Sequence, residues 1–141
     1  MVAAIILNLA ENSLNKVDIA VAGGLPPIIS TLTSCGHDLQ VVLVRVLESL
    51  ALDPENQSRI REAGGLPPLI SLLASECDDL SETSAAALMR LSQDVGNQLA
   101  FRTEGGIEPL LALAARANHA SVASPHVAGV LMNCTLQTEN R

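Results

Sequence analysis

The chain has 141 residues, 48% of them apolar but only one aromatic, Phe101, and its fifteen acidic against eight basic side chains give a net charge of −7. A core without Trp or Tyr has to be assembled from Leu, Ile, Val and Ala, which favours packed helices over a β-sandwich and makes an all-α fold the expectation. The negative charge repels a phosphate backbone and disfavours nucleic acid as a partner; no stretch approaches the roughly 18 apolar residues of a membrane span, so no membrane partner is expected.

In chain order, the opening MVAAIILNLA is an apolar helix without the basic n-region of a secretory signal, interrupted at Asn8 and followed by Glu11. A short helix begins at the turn-former Ser13 and stops at the hexapeptide Ala22-Gly23-Gly24-Leu25-Pro26-Pro27. Beyond it PPIISTL is apolar at helical spacing, a polar break falls at Ser34-Cys35-Gly36-His37-Asp38, and LQVVLVRVLESLA forms a longer helix. The same order then recurs. Asp53-Pro54 opens a short helix that ends at Ala63-Gly64-Gly65-Leu66-Pro67-Pro68, PPLISLLAS follows, and Glu76-Cys77-Asp78-Asp79 breaks the pattern, with Asp78 or Asp79 as helix cap before LSETSAAALMRLS. Asp94 opens a third round, which turns at EGGIEP, from Glu104 to Pro109. It continues as EPLLALAARA to a break at Ala117-Asn118-His119 and closes with SVASPHVAGVLMNC. In each round the second and third helices are expected to be longer than the first. Thr138-Glu139-Asn140-Arg141 has the look of an entrance to another short helix.

The glycine pairs Gly23-Gly24, Gly64-Gly65 and Gly105-Gly106 are spaced by 41 residues, and Asn15, Asn56 and Asn97 each stand eight residues before the first glycine. Ile19, Ile60 and Phe101 stand four before it. A constant period of this size marks a repeat architecture, in which each unit completes its core only by stacking on its neighbours. The hexapeptide supplies the corner. Its first Gly ends a helix in the left-handed conformation, the second permits close backbone approach, and Pro starts the next helix where its missing N–H has no intrahelical partner. The expected organisation is a closing helix of a preceding partial unit at 1–12, complete units at 13–52, 53–93 and 94–136, and a stub of a following unit at 137–141. Both ends should then expose apolar surface that a neighbouring unit would cover. That suits an excerpt from a longer array, or a protein that forms homo-oligomers through its ends with Ile5 and Ile6 at the contact.

This three-helix grammar, with Gly-Gly-Leu/Ile-x-Pro at the first corner and an A-L-x-N-L-like close, resembles the armadillo repeat family from Met1 to Arg141. The resemblance implies a right-handed α-solenoid whose closing helices line a concave groove for extended peptides. It further implies an Asn near the end of each closing helix, able to donate to a peptide carbonyl and accept from a peptide N–H. That position is held by Asn8, Ser49, Arg90 and Asn133, and Arg45, Ala86 and Gly129 complete the expected groove. The importin-alpha class pairs this Asn with Trp, which the chain lacks, so a basic nuclear-import signal is not the expected cargo. Arg45 and Arg90 with Asn8 and Asn133 make a mildly basic stripe, for which two readings stand. Either it holds an extended protein segment carrying acidic groups, with a carboxylate at Arg90, or both arginines pair with local acids such as Glu48 and Glu82.

No constellation for catalysis emerges. His37 and His119 are expected in loops and His126 inside a closing helix, without HExxH or paired spacing. Ser121, Ser124 and His126 lie close in sequence but lack a GxSxG elbow. The glycine pairs match neither GxGxxG nor a P-loop, and the acids from Glu76 to Asp79 lack the spacing of a calcium loop. Cys35, Cys77 and Cys134 share no short spacing and are expected as small buried hydrophobes in a reducing compartment, cytoplasm or nucleus. No enzymatic activity, cofactor or metal is expected. The expected function is protein recognition along the groove, with end-on self-association as the alternative.

Overall fold

The computed structural model describes the backbone of residues 2–118 and 125–139. Among these residues there are ten helices and no strand: α1 (Val2–Glu11), α2 (Ser13–Val21), α3 (Leu25–Ser34), α4 (His37–Leu50), α5 (Pro54–Glu62), α6 (Leu66–Leu72), α7 (Asp78–Leu91), α8 (Val95–Thr103), α9 (Ile107–Asn118) and α10 (Pro125–Glu139). The helices follow in groups of three after α1. The third helices α4, α7 and α10 stack in sequence on α1, each packed against the next.

The corners explain why the hexapeptide recurs. Gly23, Gly64 and Gly105 take φ of 83°, 81° and 76°, the left-handed region that only glycine enters without a Cβ penalty. At the second corner the Gly65 N–H donates to the Ile60 carbonyl and the Gly64 N–H to the Arg61 carbonyl, both at 2.9 Å. That is a Schellman closure of α5, and it satisfies two carbonyls the helix end would otherwise orphan. The second glycine is needed for space: a Cβ at Gly65 would lie 2.6 Å from Ile60 Cγ2. Between Asn15–Val21 and Leu25–Ser34 the chain bends by 81°, and no single helix among the described residues is long and apolar enough to cross a membrane.

Helix starts are fixed by side chains. Asp53 accepts from the Glu55 N–H at 2.9 Å, and Asp94 accepts from the Asn97 N–H at 2.9 Å, each occupying the N-cap of the short helix that follows. The continuous core runs from Leu25, Ile28 and Leu32 through Leu43, Val44, Leu47 and Leu50, then Ile60, Leu66, Leu69, Leu80, Leu88 and Leu91, to Phe101, Leu110, Val130 and Cys134. Each such Leu contributes about 1.5–3 kcal/mol when fully buried, so aliphatic side chains supply the main burial in a chain with one aromatic residue.

Several boundaries differ from those expected. His37 is the first residue of α4, with Gly36 at the N-cap, instead of lying in a loop. Cys77 occupies the N-cap of α7, and Asp78 and Asp79 fall inside its first turn, where acids favour the helix dipole without capping it. α6 has 7 residues and is shorter than the 9-residue α5, because Leu73, Ala74 and Ser75 tighten into i→i−3 hydrogen bonds. α9 runs to Asn118 through part of the expected break. α10 runs to Glu139, past the boundary expected after residue 136, since no Gly or Pro interrupts that stretch. His119, Ser121, Ser124, Asn140 and Arg141 lie outside the described residues.

Candidate functional site

Where α1, α4 and α7 lie side by side they enclose an open concavity of about 290 Å³, lined by Leu7, Glu11, Arg45, Glu48, Ser49, Leu52 and Arg90. The helical repeat accounts for the α4 contribution: Arg45, Glu48 and Ser49 fall at i, i+3 and i+4 and share one face. The 41-residue period accounts for the rest, because Leu7 and Glu48, Glu11 and Leu52, and Ser49 and Arg90 are three pairs of equivalent positions in successive closing segments. Matching rungs therefore stand on one wall.

Of the residues expected in the groove, the concavity brings together Arg45, Ser49 and Arg90. Asn8 is exposed on α1 but does not line it. Asn133 sits further along the stack, where its amide donates to the Ser92 hydroxyl at 2.9 Å and ties α10 to the end of α7. Ala86 and Gly129 do not line the concavity either. Ala86 is buried, and a Cβ on Gly129 would lie 2.7 Å from Met89 Sδ, so the missing side chain lets α10 and α7 approach. Leu7, Glu11 and Leu52 are lining residues that sequence reasoning did not single out; applying the period to the neighbours of the ladder position would have found them.

The electrostatics also differ from a simple basic stripe. Arg45 lies 3.8 Å from Asp79 of α7, so its local partner is neither Glu48 nor Glu82, and both side chains are more than half exposed. Such a pair contributes about 0–1 kcal/mol. Arg90 has no ion pair among the described residues, and its Nε is shut off from solvent without a hydrogen-bond acceptor. An unsatisfied buried donor of this kind carries a desolvation penalty of about 1–3 kcal/mol.

Elsewhere, Ile5 is half exposed on α1 while Ile6 packs partly against the core. His37 is exposed; His126 lies in α10 with Nδ1 buried and without a partner. Cys134 is buried, and that burial pushes its thiol pKa up, with Arg102 pulling partly the other way. Cys35 and Cys77 are only partly buried, less than expected, and all three cysteines are free thiols. Among the described residues no three His, Cys, Asp or Glu side chains gather as a metal site.

A family model for the Armadillo/beta-catenin-like repeat matches residues 53–92. Among solved structures, a designed armadillo repeat protein superposes with a TM-score of 0.79 at 20% identity over 94% of this chain and 55% of its own. An engineered protein superposes with a TM-score of 0.85 at 27% identity, over 94% of this chain and 32% of that one. The chain has the armadillo-repeat solenoid fold, with one repeat matched over residues 53–92. A further match, described as computationally designed armadillo repeat proteins for modular peptide recognition, gives a TM-score of 0.79 at 22% identity over 93% and 56% of the two chains. The armadillo-repeat solenoid thus spans about half, or less, of the structures it matches. A comparison with curated proteins found no match.

Proposed function

We propose that this armadillo-repeat solenoid is a non-catalytic protein-interaction scaffold that holds an extended peptide along α1, α4, α7 and α10. The observation that carries the reading is the shared concavity: Ser49 and Arg90, one period apart on different helices, face one space together with Arg45. A ligand lying across the helices meets them in turn, and the Arg90 guanidinium, without an ion pair among the described residues, favours a carboxylate. The class of ligand is supported by the designed relatives, described as made for peptide recognition and, in one case, in complex with the peptide (KR)4. Fold alone does not choose the partner. The test is selection from a displayed peptide library followed by affinity measurement for the wild type and Arg90→Glu. Loss of capture with an unchanged melting curve supports the groove; unchanged affinity removes it.

The half-exposed Ile5 favours a second reading, self-association through the α1 end. Light scattering over a range of concentrations decides it: a dimer that disappears in Ile5→Ser supports this reading, and a monomer throughout sinks it.

A further inference from the structure

Resting on the groove reading, we propose that the concavity between α1, α4 and α7 is a dipolar subsite: it selects a peptide carrying one basic and one acidic side chain two residues apart, the acidic one at the α7 side. The charges around the space are not uniform. Glu11 comes from α1 and Glu48 from α4, whereas Arg90 comes from α7. Arg45, the other cation, stands on α4 but lies within 3.8 Å of Asp79 of α7, which offsets part of its charge. Taken from α1 to α7, the wall therefore changes from acidic to basic.

Neither acid reaches Arg90 within ion-pair distance, and neither is joined to Arg45, so both remain open to a ligand. A doubly acidic segment would place its second carboxylate against Glu11 and Glu48; a doubly basic one would place a cation against Arg90. Like-charge juxtaposition of this kind rejects the wrong partner by roughly ten-fold in a solvent-open site. Leu7 and Leu52 give the space two apolar contacts beside the charges, one on α1 and one just after α4. The spacing follows from geometry. Side chains of an extended chain alternate faces, so positions two residues apart share one face and stand about 6.6 Å apart; long Lys and Glu side chains cover the rest of the about 8–10 Å between packed helices.

The experiment uses three acetylated, amidated ten-residue peptides with the same Leu and Ser background, differing only at two positions two residues apart, filled by Lys/Glu, Glu/Glu or Lys/Lys. Fluorescence anisotropy is read at about 0.15 M salt, where long-range attraction to the net charge is screened. The Lys/Glu probe should bind the wild type roughly ten-fold more tightly than either other probe. The preference should move to Glu/Glu in Glu11→Lys/Glu48→Lys and to Lys/Lys in Arg90→Glu. A Glu/Glu probe that binds the wild type most tightly overturns the dipolar subsite and leaves the carboxylate at Arg90 standing. Equal binding of all three, lost when Leu52→Trp fills the concavity, overturns the subsite and leaves the groove. Binding of none overturns both. Because the comparison is first made between probes on the wild-type protein, an unfolded variant cannot decide it.

Discussion

Asn97 is bonded to Gln57 across two repeats: its side-chain amide donates to the Gln57 carbonyl at 2.9 Å and to the Leu91 carbonyl at 2.9 Å. Asn56 makes the same two bonds one period earlier, to the carbonyls of Lys16 at 3.0 Å and Leu50 at 3.1 Å. One amide thus fastens the first helix of a unit to the first helix of the unit before it and to the end of the closing helix between them. The Leu50 and Leu91 carbonyls also accept from the N–H of Asp53 and Asp94, each at 3.2 Å, so the amide uses their second lone pair. Gln57 and Gln98 add a parallel rung, to the carbonyls of Ala51 at 3.0 Å and Ser92 at 2.8 Å.

Asn97→Ala should therefore destabilise the solenoid by about 1–3 kcal/mol in urea denaturation, since it removes two buried hydrogen bonds between units. Asn97→Asp should do no better, because an ionised carboxylate only accepts. Exposed Asn8→Ala should stay within about 0.5 kcal/mol of wild type. A small effect at Asn97 would mean that the inter-repeat rungs do not hold the stack.

The two glycines of a corner should not be equivalent. Gly64→Ala forces a Cβ into the left-handed region, at about 1–2 kcal/mol, but meets open space. Gly65→Ala has no such torsional penalty but drives its Cβ into Ile60, and should cost more because both the side chain and the backbone of Ile60 lie within 3.0 Å. Thermal melts that rank the two the other way would contradict the corner geometry.

Asp94 serves two purposes and Asp53 one. Asp94 caps α8 and also accepts from Arg61 Nη1 at 2.6 Å, while Arg61 donates further to Asn97 Oδ1 at 3.0 Å. Asp53→Ala should cost about 1 kcal/mol as a lost cap. Asp94→Ala should cost more, and in an Arg61→Ala background the excess should shrink. A double-mutant cycle measures that coupling; additivity would show that the ion pair contributes nothing.

Cys134 gives the pH dependence. Its thiol pKa is raised by burial, against a smaller opposing effect from Arg102, so the native state disfavours the thiolate more than the unfolded chain does. The stabilisation is complete below the ordinary thiol pKa of about 8.5 and is lost as pH rises through the raised value. Melting temperature should fall across the alkaline range in the wild type and fall less in Cys134→Ala. Alkylation at pH 8 should reach Cys35 and Cys77 before Cys134.

The corners were legible in the sequence because glycine and proline act locally: the positive φ of Gly23, Gly64 and Gly105 follows from residues within one turn. Asn56 and Asn97 were visible as a period, yet their partners lie 40 residues away and become evident only when the units stack. The groove was half legible. Arg45, Ser49 and Arg90 follow from helical phase and period; Glu11 and Leu52 obey the same period, but the contact of α1 with α4 is what brings Glu11 to the concavity. Ala86 occupies a comparable phase but is buried, and Gly129 lies where a Cβ would meet Met89. Cys77 displaced the acids as cap because the Ser75 hydroxyl accepts from its N–H at 3.1 Å and sets the turn one residue early.

Peptide binding along the closing helices is tested most directly by titrating the ¹⁵N-labelled protein with the Lys/Glu probe and mapping amide shifts. Changes concentrated at Leu7, Glu11, Arg45, Ser49, Leu52 and Arg90 are expected. Changes centred instead on α5, around Glu55 and Arg59, or none at saturating peptide, would contradict it.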